Sequence, residues 1–284
     1  MTTPDTSHLF PGKQFISTVL EALDTKTAMS GGLRRRYLQR SGMAGIIIGI
    51  FYTVNYAVIA AFRDVDQSLR PIGVFVGALM FGWALVFIYY SKSELLTSNM
   101  MIVSIGAYHR RTRWSQALWL LVLCFAGNLL GGLLLGVVEA GSSLASGTVL
   151  LEMTSAVDHK LAYVSAGPVG WLDLLMRALL CNFMINLAML LVYNGLIKED
   201  ITKCLAMVVS VFVFAFLGLE HSVANTVLFT MMGLRGLVDF GLAAGNVAIA
   251  LIGNFIGGGV LIGFYYAYAN DDRKFGAGGK RQGV

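Results

Sequence analysis

Charged residues are scarce in this chain, and their scarcity excludes an ordinary soluble domain. Only 13% of the 284 residues are Asp, Glu, Lys or Arg, whereas 56% are hydrophobic. A soluble domain carries about 25% charged residues. Because charge is so scarce, the chain must bury most of its surface in lipid.

Proline is also scarce. It occurs four times, and no polar or proline-rich linker divides the interior, so we expect one continuous domain.

Motifs for cofactors and metals are also missing. The three cysteines, Cys124, Cys181 and Cys204, lack the spacing of metal ligands, and we interpret them as small apolar residues. No phosphate-binding loop is present, which disfavours ATP-driven transport. We therefore expect no cofactor, no metal and no nucleic-acid partner.

Apolar runs, by contrast, are long. A transmembrane helix needs roughly 20 apolar residues, and five charge-free runs reach about that length. They are 43–62, 71–91, 114–138, 178–197 and 242–269. We predict helices, because the strands of a membrane barrel would alternate polar and apolar residues.

Two stretches, 71–108 and 203–234, are too long for one span and too short for two. As a single helix the first would be ~57 Å long, nearly twice the ~30 Å hydrocarbon thickness of a bilayer. We therefore predict that each is one span broken by irregular backbone near its few polar residues. The six predicted spans are 43–62, the broken 71–108, 114–138, 174–197, the broken 203–234, and 242–269.

The polar motifs within these spans repeat along the chain. Residues 94–99 are Glu-Leu-Leu-Thr-Ser-Asn and residues 220–225 are Glu-His-Ser-Val-Ala-Asn, while residues 127–132 and 253–258 share the pattern Gly-Asn-x-x-Gly-Gly. Each copy holds three spans, and because three is odd, the copies must cross the membrane in opposite orientations. We predict an all-α membrane protein with an inverted repeat, about 43–138 and 174–269, whose breaks meet near the midplane.

Basic residues set the predicted orientation. If the N-terminus is inside, most of the 21 Lys and Arg residues fall in cytoplasmic segments, and only four lie outside. These four are Arg63, Arg70, Lys160 and Arg235. By the positive-inside rule both termini are cytoplasmic, in a multi-pass protein of the cytoplasmic (inner) membrane.

Three segments follow from this topology. Residues 1–40 form a cytoplasmic N-terminal segment with a helical apolar stripe, which we expect to lie on the inner membrane surface. Residues 41–270 form the six-span channel domain. Residues 271–284 form a cytoplasmic tail rich in glycine and basic residues.

Two glutamates and two asparagines occupy equivalent positions at the predicted breaks. Glu94 and Asn99 belong to the first copy, and Glu220 and Asn225 belong to the second. Ionisable groups inside a membrane are costly and face the protein interior or a pathway. We interpret these side chains as structural, because a helix break leaves backbone groups that need polar partners.

His221 and Thr97 depart from the repeat, so the duplicated scaffold alone does not require them. Leu95 replaces the histidine in the first copy, and Val223 replaces the threonine in the second. A structural histidine, satisfied by one donor and one acceptor, is one interpretation. The other is that His221 offers a permeating species a hydrogen bond or a proton, since imidazole titrates near neutrality.

At these motifs the chain resembles the formate/nitrite transporter family, over roughly residues 40 to 270. The likeness rests on residues 93–99, 181–182, 218–225 and 253–258. The resemblance implies an aquaporin-like fold in a homopentamer, with one pore in each protomer. It also implies small anionic substrates: formate, nitrite, hydrosulfide, lactate or acetate. The family usually has Phe at the positions of Leu96 and Leu219, a departure that bears on the expected pore width but not on the resemblance itself.

The resemblance also implies roles for individual residues. Thr97 and His221 would face each other across the pore, and Lys160, in the loop before the fourth span, would attract anions. Asn254 would lie near the central histidine, and Asn182 on the substrate pathway. The implied apolar constrictions are Phe81, Leu85 and Phe214.

We therefore predict transport of monovalent anions of weak acids, by a channel or a proton-coupled carrier. An anion would cross an apolar constriction as its neutral acid, with the proton coming from His221 or from water. The alternative is a secondary transporter with moving repeats, coupled to Na⁺ or H⁺. A membrane-embedded enzyme is not expected, because His221 has no nucleophile or metal-ligand partner in the sequence.

Overall fold

The regular elements of the chain are all helices in the computed structural model, which describes residues 9–273. The first eight residues, and all but three residues of the predicted tail 271–284, lie outside this range. A short 3₁₀ turn, Gln67–Leu69, precedes α3. The helices are α1 Lys13–Gly32, α2 Arg34–Val65, α3 Arg70–Phe81, α4 Trp83–Tyr90, α5 Leu96–Tyr108, α6 Trp114–Ala140, α7 Gly147–Ser165, α8 Pro168–Tyr193, α9 Asp200–Phe216, α10 Ser222–Gly233, α11 Phe240–Asn254 and α12 Tyr265–Ala269.

Five helical stretches in the described range are long and apolar enough to cross a membrane. They are Arg34–Val65, Gln67–Tyr90, Trp114–Ala140, Pro168–Tyr193 and Phe240–Ala269. The remaining predicted span, 203–234, is divided between α9, with 17 residues, and α10, with 12. At 1.5 Å per residue these helices are ~26 and ~18 Å long, so neither crosses a bilayer alone.

The helix ends differ in part from those predicted. α2 begins at Arg34, so residue 40, the predicted end of the N-terminal segment, lies inside this helix. α8 extends from Pro168 to Tyr193 rather than over 174–197. Non-helical backbone occupies residues 91–95, between α4 and α5, and residues 217–221, between α9 and α10.

Glycine allows two helix pairs to approach closely. A Cβ atom added at Gly131 of α6 would overlap the carbonyl oxygen of Gly42 in α2, and one added at Gly257 would overlap the carbonyl oxygen of Leu179 in α8. Gly131 and Gly257 are equivalent positions of the repeated Gly-Asn-x-x-Gly-Gly motif. Small residues at such crossings let backbones pack against each other, as in many membrane bundles.

α1 packs against the helix bundle, which corrects the expected membrane-surface location of its apolar stripe. Phe15, Val19 and Leu23 are almost completely buried, and α1 contacts α5, α2, α6 and α8. Leu23 lies against Gly106 of α5. The stripe is therefore covered by protein, because a helix can bury an apolar face in a bundle as well as in lipid.

α7 corrects the predicted loop that contains Lys160. Residues 147–165 are helical, and Met153 and Val157 are fully buried on one face. The buried Glu152 of α7 forms ion pairs with Arg63 and Arg70, both at 2.8 Å, at the connection from α2 to α3. α7 is thus fixed between the two copies of the repeat.

The helix after α11 is locally wider. Residues Phe255–Phe264 form a π-helical segment that continues into α12, whereas the equivalent part of α6 is a regular α-helix. A Cβ atom at Gly258 would overlap the amide groups of Asn182 and Asn186. The segment therefore passes directly beside two polar side chains of α8, and π-helical turns often lie beside functional sites.

Candidate functional site

The two helix interruptions begin with the same helix end. The chain turns through a left-handed residue in both, Lys92 with φ 57° and Gly218 with φ 63°. The amide of the following residue bonds to the carbonyl five positions back, at 3.0 Å for Ser93 and 2.9 Å for Leu219. This is a Schellman motif, which gives partners to carbonyl groups that an ending helix leaves unpaired.

Asn128 and Asn254 hold the helices that follow the interruptions. Oδ1 of Asn128 accepts from the amide of Leu96 at 3.1 Å, and Oδ1 of Asn254 accepts from the amide of Ser222 at 2.9 Å. Each Nδ2 donates to the carbonyl of the glutamate in its own copy, at 2.9 and 3.0 Å, and to a carbonyl of α2 or α8. One buried amide thereby satisfies three backbone groups, which lipid cannot do.

The glutamate side chains are held by asparagine and lysine. Nδ2 of Asn99 donates to Glu94 at 3.2 Å, and Nδ2 of Asn225 donates to Glu220. Nζ of Lys160 lies 3.0 and 2.9 Å from the two carboxylate oxygens of Glu220. An unpaired carboxylate at this depth would cost several kcal/mol, so the lysine accounts for the presence of a charged group there.

Lys26 of α1 forms the corresponding ion pair with Glu94, and the sequence analysis missed it. The side chains of Lys26 and Lys160 are only 14% and 9% exposed. The signal was positional: Lys26 lies eight residues before Arg34, the start of α2, and Lys160 lies eight residues before Pro168, the start of α8. Each copy of the repeat thus has a preceding helix that supplies a lysine to its glutamate.

His221 caps α10 and uses both ring nitrogens. Its Nδ1 accepts from the amide of Ala224 at 2.9 Å, and its Nε2 lies 3.0 Å from Oγ1 of Thr97. Because Nδ1 is an acceptor, the neutral ring carries its proton on Nε2 and donates it to Thr97. The two residues that depart from the repeat are therefore bonded to each other.

Two vestibules lead into the molecule, one on the side of α1 and one on the side of α7. The α1-side vestibule has a volume of about 350 Å³, and its charged lining residues are Lys26, Arg40, Lys92 and Glu94. The α7-side vestibule has a volume of about 360 Å³, and its charged lining residues are Lys160, Arg177 and Glu220. Basic lining residues outnumber acidic ones in both vestibules, and an excess of positive charge raises the local concentration of anions. On the α7 side this excess is offset, because Arg177 is paired with Asp173.

A small chamber lies between the vestibules. Its volume is about 20 Å³, room for about one water molecule. It shares Leu85 and Ile88 with the α1-side vestibule, and Phe81 and His221 with the α7-side vestibule. Nine of its ten lining residues are apolar, so His221 is the polar one; the lining is Ile48, Phe81, Ala84, Leu85, Ile88, Leu95, Ile185, Val211, Phe214 and His221.

The predicted constriction residues all line this chamber. Leu85 lies toward the α1-side vestibule, and Phe81 and Phe214 lie toward the α7-side vestibule with ring centroids 6.1 Å apart, edge to face. Ile88 and Leu95 join Leu85, and the sequence analysis missed them. Leu95 could have been found, because it is the repeat counterpart of His221.

Three residues predicted on the pathway do not line the chamber or either vestibule. Thr97, Asn182 and Asn254 are fully buried. Nδ2 of Asn182 donates to the carbonyls of Thr97 and Asn254, at 3.1 and 2.7 Å. Their polar side-chain atoms are used by neighbouring backbone, except that Oδ1 of Asn182 accepts from Nδ2 of Asn186 at 2.8 Å and Thr97 is bonded to His221. The three residues therefore belong to the layer behind the chamber wall.

Membrane-crossing helices, two basic vestibules and an apolar chamber between them together define a membrane transport protein. The chain belongs to the formate/nitrite transporter family: the family model described as "Formate/nitrite transporter" matches residues 13–268. The resemblance inferred from the repeated motifs is thereby confirmed.

Two curated relatives illustrate the match. The chain is 27% identical to the nitrite transporter NirC of Salmonella typhimurium over 232 residues, which cover 81% of each chain. It is also 27% identical to the formate channel FocA of Escherichia coli K12 over 277 residues, which cover 87% of this chain and 93% of FocA.

Solved structures show the same fold. A structure described as an "FNT family ion channel" matches with a TM-score of 0.78 at 24% identity, covering 91% of this chain and all of that one. A structure described as a "pentameric formate channel with formate bound" matches with a TM-score of 0.67 at 21% identity, covering 82% and 96%.

Proposed function

We propose that this protein moves small monovalent anions of weak acids across the membrane, with formate and nitrite as its principal substrates. The observation that carries the proposal is the chamber, whose apolar lining is interrupted only by His221 and which lies between two vestibules rich in basic groups. The names of the relatives FocA and NirC support this substrate class. Hydrosulfide, lactate and acetate are further candidates.

We further propose that the substrate crosses the chamber as its neutral acid. Transferring a bare anion into an apolar cavity costs many kcal/mol, more than one hydrogen bond returns. For an acid with a pKa of about 4, protonation at pH 7 costs only about 4 kcal/mol. Protonation is therefore the lower of the two barriers.

In this proposal His221 turns its Nε2–H bond from Thr97 to the substrate, and the proton that neutralises the substrate comes from the bulk solution through water in the vestibule. The bond from the Ala224 amide to Nδ1 favours the neutral ring, because protonating Nδ1 would bring two N–H groups face to face. To give its Nε2 proton to the substrate, the ring would first have to be protonated at Nδ1, which this bond disfavours. A ring that only donates a hydrogen bond from Nε2 needs no proton at Nδ1.

The architecture that we propose is an aquaporin-like inverted repeat of three plus three spans, assembled as a homopentamer. The matched bonds of Asn128 and Asn254 and of the two Schellman motifs support the repeat. The pentameric state of the similar formate channel structure supports the assembly. Crosslinking and mass measurement of the purified protein would test it, and a stable monomer would contradict it.

We propose that both termini are cytoplasmic, in the bacterial inner membrane. The distribution of Lys and Arg supports this orientation. The test is labelling with a membrane-impermeant thiol reagent from outside intact cells. It should reach a cysteine introduced at Ser143, between α6 and α7, and miss one at Gly278, which lies outside the described residues. The reverse pattern would invert the topology.

Flux measurements in protein-only liposomes test the transport proposal. At a fixed total concentration of formate, the neutral acid falls tenfold for each pH unit above a pKa of about 4, and we expect the initial flux to follow it. Protein-free liposomes measure leakage through lipid. Ala84→Trp, which fills the chamber, is the matched control and should lose the flux.

Each outcome has a distinct meaning. Absence of flux for formate, nitrite, hydrosulfide, lactate and acetate alike would contradict the proposal. Flux that is independent of pH would leave anion transport standing but exclude the neutral-acid step. Flux that requires a sodium gradient would favour the coupled carrier with moving repeats.

A further inference from the structure

The left-handed position of the first interruption holds a lysine where the second holds a glycine. Lys92 and Gly218 occupy the same place in the Schellman motif, with φ values of 57° and 63°. Glycine adopts this conformation freely, whereas a residue with a side chain is strained in it. A strained backbone conformation persists only where the surrounding structure fixes it, and such residues cluster at functional sites. The side chain of Lys92 is therefore a candidate for a functional role.

The side chain of Lys92 is exposed in the α1-side vestibule. Within residues 9–273 it forms no ion pair, in contrast to Lys26, which is bound to Glu94. Its Nζ lies 5.0 Å from the ring centroid of Tyr89, a contact that orients the ammonium group without neutralising it. Arg40 lines the same vestibule and also makes no ion pair in the described range.

The α7-side vestibule has a cation near the equivalent place, but this cation is engaged. Nη1 of Arg177 lies 3.8 Å from the position that a Cβ atom of Gly218 would take, and it donates to the carbonyl of Gly218 at 3.2 Å. Nε of Arg177 bonds to Asp173 at 2.9 Å. The two vestibules therefore differ. In residues 9–273 one has two cations without a carboxylate partner, Lys92 and Arg40, although Nη1 of Arg40 donates to the Met29 sulfur at 3.3 Å. The other has a cation already paired with a carboxylate.

We propose that Lys92 and Arg40 form an anion-docking subsite that exists only in the α1-side vestibule. The subsite binds the substrate anion before it reaches the chamber, and it lowers the half-saturation concentration for transport from that side. The inference rests on the proposed transport of small anions. A unit charge ~7 Å away in water is worth about a threefold change in local anion binding.

Lys92→Gly is the main test, because glycine fits the left-handed backbone and reproduces the other interruption. Flux is measured in inside-out and right-side-out vesicles at low ionic strength with formate. We expect the half-saturation concentration to rise about threefold from the α1 side and to stay unchanged from the α7 side. Lys92→Arg should remain near wild type. The difference should vanish near 0.5 M salt, where the Debye length is about 4 Å.

Two controls separate docking from damage. Lys198→Gln removes an exposed cation that does not line the vestibule, and it should leave both half-saturation concentrations unchanged. The unfolding temperature of Lys92→Gly should equal or exceed that of wild type, because backbone strain is relieved. If Lys92→Gly loses affinity for the anion but keeps its stability, the loss of affinity is due to removal of the positive charge.

A chemical version of the test reverses the charge in place. Lys92→Cys in a Cys204→Ser background is modified with a cationic or an anionic thiosulfonate. The cationic adduct should restore the wild-type half-saturation concentration on the α1 side, and the anionic adduct should raise it further. Equal values for both adducts, or a Lys92→Gly change of the same size on both sides, would overturn the inference. A wild-type protein without flux would instead contradict the proposed function.

Discussion

The two helix interruptions share a backbone scaffold and differ in the side chains that they present. In both, a Schellman motif closes the incoming helix and an asparagine holds the outgoing one, at 3.1 and 2.9 Å. Three of the paired positions that differ bear on the pathway: Lys92 and Gly218, Leu95 and His221, Thr97 and Val223. Both interruptions need this scaffold, because unpaired backbone in lipid costs several kcal/mol. Of the side chains that differ, His221 also serves the backbone, by capping α10.

The two helices that support the interruptions, α1 and α7, differ in the ion pairs that hold them to the bundle. α7 lies between the copies, and its Glu152 is buried under two arginines. α1 is fastened at its solvent side by exposed pairs, such as Asp24 with Arg111 at 2.7 Å. Exposed pairs contribute little stability. The helix supporting the first interruption is therefore held by its buried apolar stripe and by Lys26, with little added by its exposed ion pairs.

The largest expected effect comes from removing one lysine of the supporting helices. Lys160→Met leaves Glu220 buried and unpaired, and we expect the free energy of unfolding to fall by about 3 kcal/mol. Lys26→Met should cost less, because its side chain is more exposed. Thermal unfolding in detergent measures both.

The matched control for that comparison is the double variant Lys160→Met/Glu220→Gln. It removes the whole charge pair, and we expect it to recover most of the lost stability, since replacing a buried pair by neutral groups is often tolerated. If Lys160→Met alone were as stable as wild type, Glu220 would not need its lysine.

The next effect concerns the histidine that distinguishes the second interruption. His221→Asn retains a good helix cap at α10, but its shorter side chain withdraws the donor from the chamber. We expect formate flux to fall about tenfold, the loss of roughly one hydrogen bond, while the dependence of flux on pH persists. Flux that becomes independent of pH would show that the ring itself supplies the proton.

A smaller effect is expected at the apolar wall of the first interruption. Leu85→Ala enlarges the chamber, so flux should rise a few-fold and lactate should pass more readily relative to formate. Leu135→Ala, at a buried position that does not line the chamber, is the control for general loosening. Unchanged size selectivity in Leu85→Ala would remove this residue from the constriction.

The smallest effect concerns the exposed ion pair between Asp24 of α1 and Arg111. The Arg111 guanidinium bonded to Asp24 holds the pKa of this carboxyl below its usual 3.8. A lowered pKa means that the contribution is present at neutral pH and is lost as the pH falls below 3.8 through the folded-state pKa. Asp24→Asn should therefore unfold at a slightly lower temperature than wild type at pH 7, and this difference should narrow as the pH falls below 3.8.

The control is Glu21→Gln, which removes an α1 carboxylate that has no ion pair in residues 9–273. It should show no difference from wild type at either pH. A constant gap between Asp24→Asn and wild type across the whole range would mean that the pair acts by packing rather than by charge.

Prediction from sequence succeeded where lipid imposed the pattern and failed where partners lie far apart in the chain. The lengths of the apolar runs and the register of the repeated motifs indicated membrane-crossing helices and the family. The sequence analysis predicted a loop around Lys160, whereas residues 147–165 form an amphipathic helix that buries one face in the bundle. It also assigned Asn182 and Asn254 to the pathway, because a buried amide can serve either a substrate or backbone, and only contacts distinguish the two.

By itself the sequence determined that the chain is a membrane protein of this family. Charge scarcity follows from the cost of placing charges in lipid, and apolar length follows from the thickness of the bilayer. The two registered polar motifs follow from the need to satisfy backbone where helices break. Only the tertiary structure decided which lysine pairs with which glutamate, at separations of 68 and 60 residues. It also decided that His221 is bonded through both ring nitrogens and that, among residues 9–273, Lys92 has no ion-pair partner in its vestibule. These facts depend on where helices cross, and helix crossings are set by packing among all the elements together.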